Sequence, residues 1–246
     1  MIARSNAALL FGTMTLIGIT SYVPIYIQAV QARPVIMAGI PLSTMLFAWP
    51  LASAVSSRIL RHLSMRKTQR LGGLLIPLGT VFLLFIGPQS SPVYMGIGPF
   101  IMGFGMGLLN ITCVVMIQGS VEWSKRGSAT ASLLFSRSMG NTLGVAALGA
   151  VLNVAVVSFA GAHGSPLDGE QIRKLLGSIG NVLGGGTDTA LRGALDYGLT
   201  LTFRGMMLFS VLAAALAVII PVRELETLSH EPRPSQSGPK SEIQKA

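Results

Sequence analysis

The stretch SATASLLFSRSMGNTLGVAALGAVL, Ser128 to Leu152, is apolar or small almost throughout, yet carries Arg137 near its middle. As a helix rising about 1.5 Å per residue it is long enough to cross the ~30 Å hydrocarbon core of a bilayer. Ser128, Ser132, Ser136, Gly140 and Gly144 recur every four residues, a stripe of small side chains that lets a neighbouring backbone approach closely. Thr130, Arg137, Asn141 and Gly144 share an adjoining face, while Phe135, Met139, Leu143 and Ala146 fall on roughly the opposite side, suited to lipid. Counted from Gly127, Arg137 lies roughly 15 Å deep. A central arginine costs about 2.5–3.5 kcal/mol on insertion scales. Two arrangements would relieve that cost. The guanidinium faces an inward cavity or partner, or it reaches up to the cytoplasmic headgroups. Asn141 on the same face favours the cavity.

The rest of the chain agrees with a membrane setting. Half of its 246 residues are hydrophobic and 11% are charged, against about a quarter charged in an ordinary soluble domain. The apolar residues come in long blocks, which predicts an integral membrane protein with the lipid bilayer as its main partner. The first block follows Arg4 and is too long for the apolar core of a cleavable signal. The single cysteine, Cys113, sits in an apolar block and reads as a small buried hydrophobe. The net charge of +9 is carried between the apolar blocks, so it predicts orientation in a membrane and no nucleic-acid partner.

Runs of about 20 apolar residues predict an all-α, polytopic membrane bundle of six transmembrane helices within residues 1–225. The spans are expected at about 7–29, 35–57, 71–88, 93–118, 128–159 and 199–222. Barrel strands would be about half as long and would alternate in polarity. The loop RILRHLSMRKTQR, with Arg58, Arg61, Arg66, Lys67 and Arg70, and the later Lys125 and Arg126 outweigh Arg33 on the other side. Both termini are therefore expected in the cytoplasm of an inner-membrane protein. Residues 160–198 form an outward-facing loop in this scheme. They carry an amphipathic helix started by Asp168 and a second one capped at Thr187 or Asp188, where Arg192 and Asp196 are spaced as an i,i+4 pair. Residues 226–246 read as a disordered cytoplasmic tail.

Further candidates are distributed over the other spans. Gly103 and Gly107 belong to a glycine-rich fourth helix suited to close packing, which also carries Asn110. Asn110 fits an interhelical hydrogen bond or a substrate contact. Tyr22, with Tyr26 and Gln28, lies near the outer end of the first helix, as an interfacial tyrosine or a cavity residue. Trp49–Pro50 marks a candidate kink. No expected span contains a carboxylate, and the histidines lie outside the spans. No metal-ligand cluster, phosphate loop or nucleophile–base pair is legible, so neither an enzyme nor a cofactor is expected.

GITSYVPIYIQAV, IMGFGMGLLN and KRGSATASLLFSRSMGNTLGVAALGAVL, taken in order, resemble the last six helices of a major facilitator superfamily transporter. Among its groups the fourteen-helix drug:proton antiporters are most similar, over roughly residues 5–225. Arg126–Gly127, Arg137, Gly140, Gly144 and Val145 carry the most specific portion. The resemblance implies a C-terminal bundle of two inverted three-helix repeats. It also implies a small-molecule substrate, a lipophilic or cationic drug, held against a missing N-terminal half of six or eight helices, with transport by alternating access. Arg137, Asn141, Thr130, Asn110 and Tyr22 would line the cavity or the contact between bundles. Arg58, Arg61, Arg66 and Lys67 would form the cytoplasmic gating loop. In that loop the chain departs from the family's Gly…Asp-Arg-x-Gly-Arg-Arg pattern: Arg61 stands at the acidic position and Ser64 at the glycine, while Arg66–Lys67 keep the basic pair. Two other readings stay open, a half-transporter that pairs with a copy or a separate half, and a non-transporting membrane subunit.

Overall fold

The computed structural model describes residues 2–162 and 189–219. Within them lie six long helices and no strand. The helices are α1 (Ile2–Ile25), α2 (Val35–His62), α3 (Met65–Leu84), α4 (Pro92–Gly119), α5 (Arg126–Ala162) and α6 (Thr189–Ile219). Five of them are long and apolar enough to cross a membrane. The exception among the six expected spans is α3. Arg66, Lys67 and Arg70 occupy its first turns, and its apolar stretch, Leu71 to Leu84, covers only about 20 Å at about 1.5 Å per residue.

The ends of the helices follow local chemistry. Pro24 lacks the N–H that an α-turn needs, and α1 runs on into a wider π-turn at Tyr26–Val30. The chain then reverses through Ala32, whose φ of 51° is left-handed. Gln31 fastens that corner by donating from Nε2 to the Gly87 carbonyl at 3.0 Å, in the α3–α4 turn. The basic 58–70 segment is not a loop. The α2 helix continues to His62 and α3 starts at Met65, so the connection is Leu63–Ser64 and the arginines stand on helix ends. Similarly, α6 begins at Thr189, ten residues before the expected sixth span. The helix expected from Asp168, the cap at Thr187 or Asp188 and the tail 226–246 lie outside the described residues.

The helices pair in a repeating pattern. The α4 helix packs along both α2 and α3; α1 packs along both α5 and α6; α3 meets α6 behind them. Exchanging α1 with α4, α2 with α5 and α3 with α6 turns α2–α4 into α5–α1 and α3–α4 into α6–α1. The pairings α3–α6 and α1–α4 map onto themselves. Three short connections separate α1 from α4 and α2 from α5, so each runs opposite to its counterpart and one triplet is inverted relative to the other. The symmetry fails at one pairing. The α5 and α6 helices pack closely, whereas α2 and α3 barely touch. The core between the triplets is built from large apolar side chains such as Leu9, Ile19, Met106, Phe203 and Met206, all 2% exposed or less.

Candidate functional site

Three helices converge on Arg137. The α2 and α5 helices flank α4, and from α5 the guanidinium extends sideways toward both of the others. Its Nη1 donates to Asn110 Oδ1 on α4 at 3.4 Å. Its central carbon lies 5.3 Å from the centre of the Trp49 ring on α2. A cation over an indole face is attracted by the ring's quadrupole, by about 0.5–2 kcal/mol depending on solvation. Trp49 is brought there by glycine packing. A Cβ on Gly107 would stand 2.8 Å from the Trp49 carbonyl oxygen and 2.7 Å from the Ala52 Cβ, so only a hydrogen permits this approach of α2 to α4. Gly103 does the same a turn away, 2.6 Å by the same measure from the Met45 carbonyl oxygen.

The α1–α5 contact holds the other side of the arginine helix. At Gly140 an added Cβ would collide with Thr13 Oγ1 and the Leu10 carbonyl, and at Gly144 it would lie 2.7 Å from Ile17 Cγ2. Asn6 Nδ2 donates to Ser132 Oγ at 2.8 Å on the same stripe. The Ser136 hydroxyl turns back to the Ser132 carbonyl at 3.0 Å.

The remaining candidates are dispersed. Asn141 is exposed, one turn beyond Arg137 on α5. Thr130 accepts from Gln118 Nε2 at 3.5 Å. It lies in an open hollow of about 630 Å³, which Arg126 and Trp123 also line. Tyr22 is 6% exposed and donates to the Val145 carbonyl at 3.3 Å, so it packs α1 on α5 away from the arginine. Arg58 and Arg61 stand on the last turns of α2, and Arg66 and Lys67 on the first turn of α3.

Three residues escape a reading of the sequence alone. Trp49 is legible there only as a kink marker, because its partner lies 88 positions away. Asp196 is a correction: a carboxylate does lie within a span-length helix, since the stretch of α6 long and apolar enough to cross a membrane runs from Arg192 to Ile219. Asp196 accepts a 3.0 Å hydrogen bond from Tyr26, in place of the expected pairing with Arg192. Arg204 stands exposed on α6. A scan for apolar runs stops short of Asp196, whereas the helix does not; Arg204 lies inside the expected 199–222 span, where apolar neighbours outweigh its charge.

Long apolar helices, a glycine-lined bundle and two inverted triplets define a polytopic α-helical membrane protein. The sequence pattern of the Major Facilitator Superfamily matches residues 4–145, more than half of the chain, and the chain belongs to that family. It is 26% identical to a multidrug transporter protein, MdtP, of Bacillus subtilis over 144 residues, 58% of this chain and 26% of that protein. It is 24% identical to a dehydrocurvularin exporter of Alternaria cinerariae over 222 residues, 88% of the chain and 37% of the relative. A siderochrome iron transporter of Aspergillus fumigatus is 22% identical over 213 residues, 84% and 35% respectively. The chain thus spans about a quarter to two fifths of the length of these curated relatives.

Proposed function

We propose that this chain is the C-terminal six-helix half of a proton-coupled efflux antiporter for lipophilic small molecules. It sits in the cell membrane with both termini cytoplasmic and works by alternating access against an N-terminal half. Family membership and the names of the relatives support transport, and the share of their length that the chain matches supports the assignment to one half. The observation that carries the reading is the Arg137 group. A guanidinium within an apolar helix is directed sideways onto Asn110 and Trp49, on the side where α2 and α5 flank α4. A charge at that depth is costly unless it serves a pathway or a partner. Rigid-body rocking of two such bundles needs close helix packing within each, which the glycines at 103, 107, 140 and 144 support.

The test is transport by the full-length protein in proteoliposomes. An imposed pH gradient should drive accumulation of a lipophilic dye, and a protonophore should abolish it. Accumulation no greater than in protein-free vesicles would refute the transporter reading. Accumulation indifferent to the protonophore would refute antiport.

A further inference from the structure

We propose that Arg137 is an oxyanion-binding residue: its guanidinium takes a carboxylate, carried either by the transported molecule or by the region of the transporter that faces this bundle. The proposal rests on the transporter reading and names the ligand chemistry of its site.

The described residues include two carboxylates, and both are engaged far from Arg137. Glu122 pairs with Lys125 at 3.6 Å, both well exposed, beyond the end of α4. Asp196 is bonded to Tyr26 near the opposite end of α1. Arg137 sits much lower on α1, because the neighbouring Gly140 packs at Leu10 and Thr13. From Leu10 to Tyr26 is roughly 24 Å at about 1.5 Å per residue. Neither acid can therefore neutralise the arginine.

The neighbours that do reach it are neutral. Asn110 takes one of the five N–H groups, and the Trp49 ring supports the guanidinium plane without accepting an ordinary hydrogen bond. Arg137 is half-buried; a cation in a membrane helix without a counter-charge is costly, and a carboxylate relieves that cost best because its two oxygens match the guanidinium fork. Asn110 and Trp49 fix the side chain beforehand, so little rotamer freedom is lost on binding. The same arrangement opposes a cationic drug at this position. The favoured substrates are lipophilic acids, unless the facing half supplies the carboxylate.

The experiment uses purified full-length transporter in nanodiscs, radiolabelled benzoate, and benzamide as the uncharged competitor. If the carboxylate comes from the ligand, benzoate binds saturably and benzamide does not displace it. Arg137→Gln then lowers binding at least tenfold, and Arg137→Lys keeps more of it than the glutamine variant does. Asn110→Asp, which leaves the arginine in place but supplies a carboxylate within the chain, also loses benzoate at least tenfold. If the carboxylate comes from the facing half, the wild type binds no benzoate. Efflux lost in Arg137→Glu is then restored by an acid-to-lysine change elsewhere in the transporter. Wild-type protein without benzoate binding, together with no charge-reversing suppressor, overturns the proposal. So does benzoate binding unchanged in Arg137→Gln. Benzoate binding is read without transport, and the suppressor arm compares variants with a wild type whose efflux is already established, so failure of either arm is distinguishable from failure in the dye assay.

Discussion

The Tyr26 hydroxyl donates to the Asp196 carboxylate across 3.0 Å, tying the π-turn of α1 to the first turns of α6. The Tyr26 ring is fully buried and packs 5.7 Å from the Phe203 ring, so the hydroxyl is aimed by its own packing. Removing the hydroxyl alone leaves the rings in place and the carboxylate without its donor. Interhelical hydrogen bonds in membranes average about 0.6 kcal/mol, up to about 1.7. Tyr26→Phe is expected to cost about 1 kcal/mol, read as a lowered unfolding midpoint in detergent. Asp196→Asn keeps an acceptor and should cost less. A phenylalanine variant as stable as the parent would show that the clasp contributes nothing.

The α1–α5 contact depends on the absence of a side chain at Gly140. A methyl group there meets the Leu10 carbonyl and Thr13 Oγ1, and backbone cannot move aside cheaply. Overpacking of this kind costs about 1–3 kcal/mol. Gly140→Ala should therefore unfold at a lower temperature. At Gly39 nothing lies within 4 Å of the position a Cβ would take. Gly39→Ala should be neutral or slightly stabilising, by about 0.4–1 kcal/mol at most. Equal effects at both sites would contradict the packing described.

Orientation can be read by labelling. The basic residues gathered about Leu63–Ser64 predict that this turn is cytoplasmic, and the α3–α4 turn then faces outward. The natural cysteine, Cys113, is buried and can be removed as Cys113→Ala. In that background Gln89→Cys should react with a membrane-impermeant maleimide on intact cells, and Lys67→Cys only after permeabilisation. The reverse order would invert the bundle.

If Arg137 binds a carboxylate as proposed, Asn110 acts by positioning the guanidinium, to which it is hydrogen-bonded. Its deletion as Asn110→Ala frees Arg137 to sample other rotamers. A hydrogen bond to a charged group is worth about 1.5–3 kcal/mol, and this one is long at 3.4 Å. An increase in KM of about tenfold for an acidic substrate is expected, with kcat little changed. A loss confined to kcat would assign Asn110 to the transport step itself.

How much of this is legible in the chain differs from residue to residue. The apolar runs around Phe203, Met106 and Leu148 mark helices because burial in lipid or core demands length and hydrophobicity, and both are local properties. The four-residue spacing of Ser132, Ser136, Gly140 and Gly144 marks a close helix contact, because small side chains at that period share one face. Asp196 falls outside the expected spans because its charge ends an apolar run; the partner that admits it, Tyr26, is 170 positions away. The turn at Leu63–Ser64 reads as a long loop for the same reason: arginines interrupt a hydropathy pattern without interrupting a helix.

By itself the sequence determined that this protein is a bundle of membrane helices, that α5 carries a charge within its apolar length, and which faces are smooth enough to pack. These follow from composition and period along one helix. Only the tertiary structure decided where the charge points and what meets it. Asn110 and Trp49 reach Arg137 through the packing of three helices, and a contact between helices depends on distances that no single helix encodes.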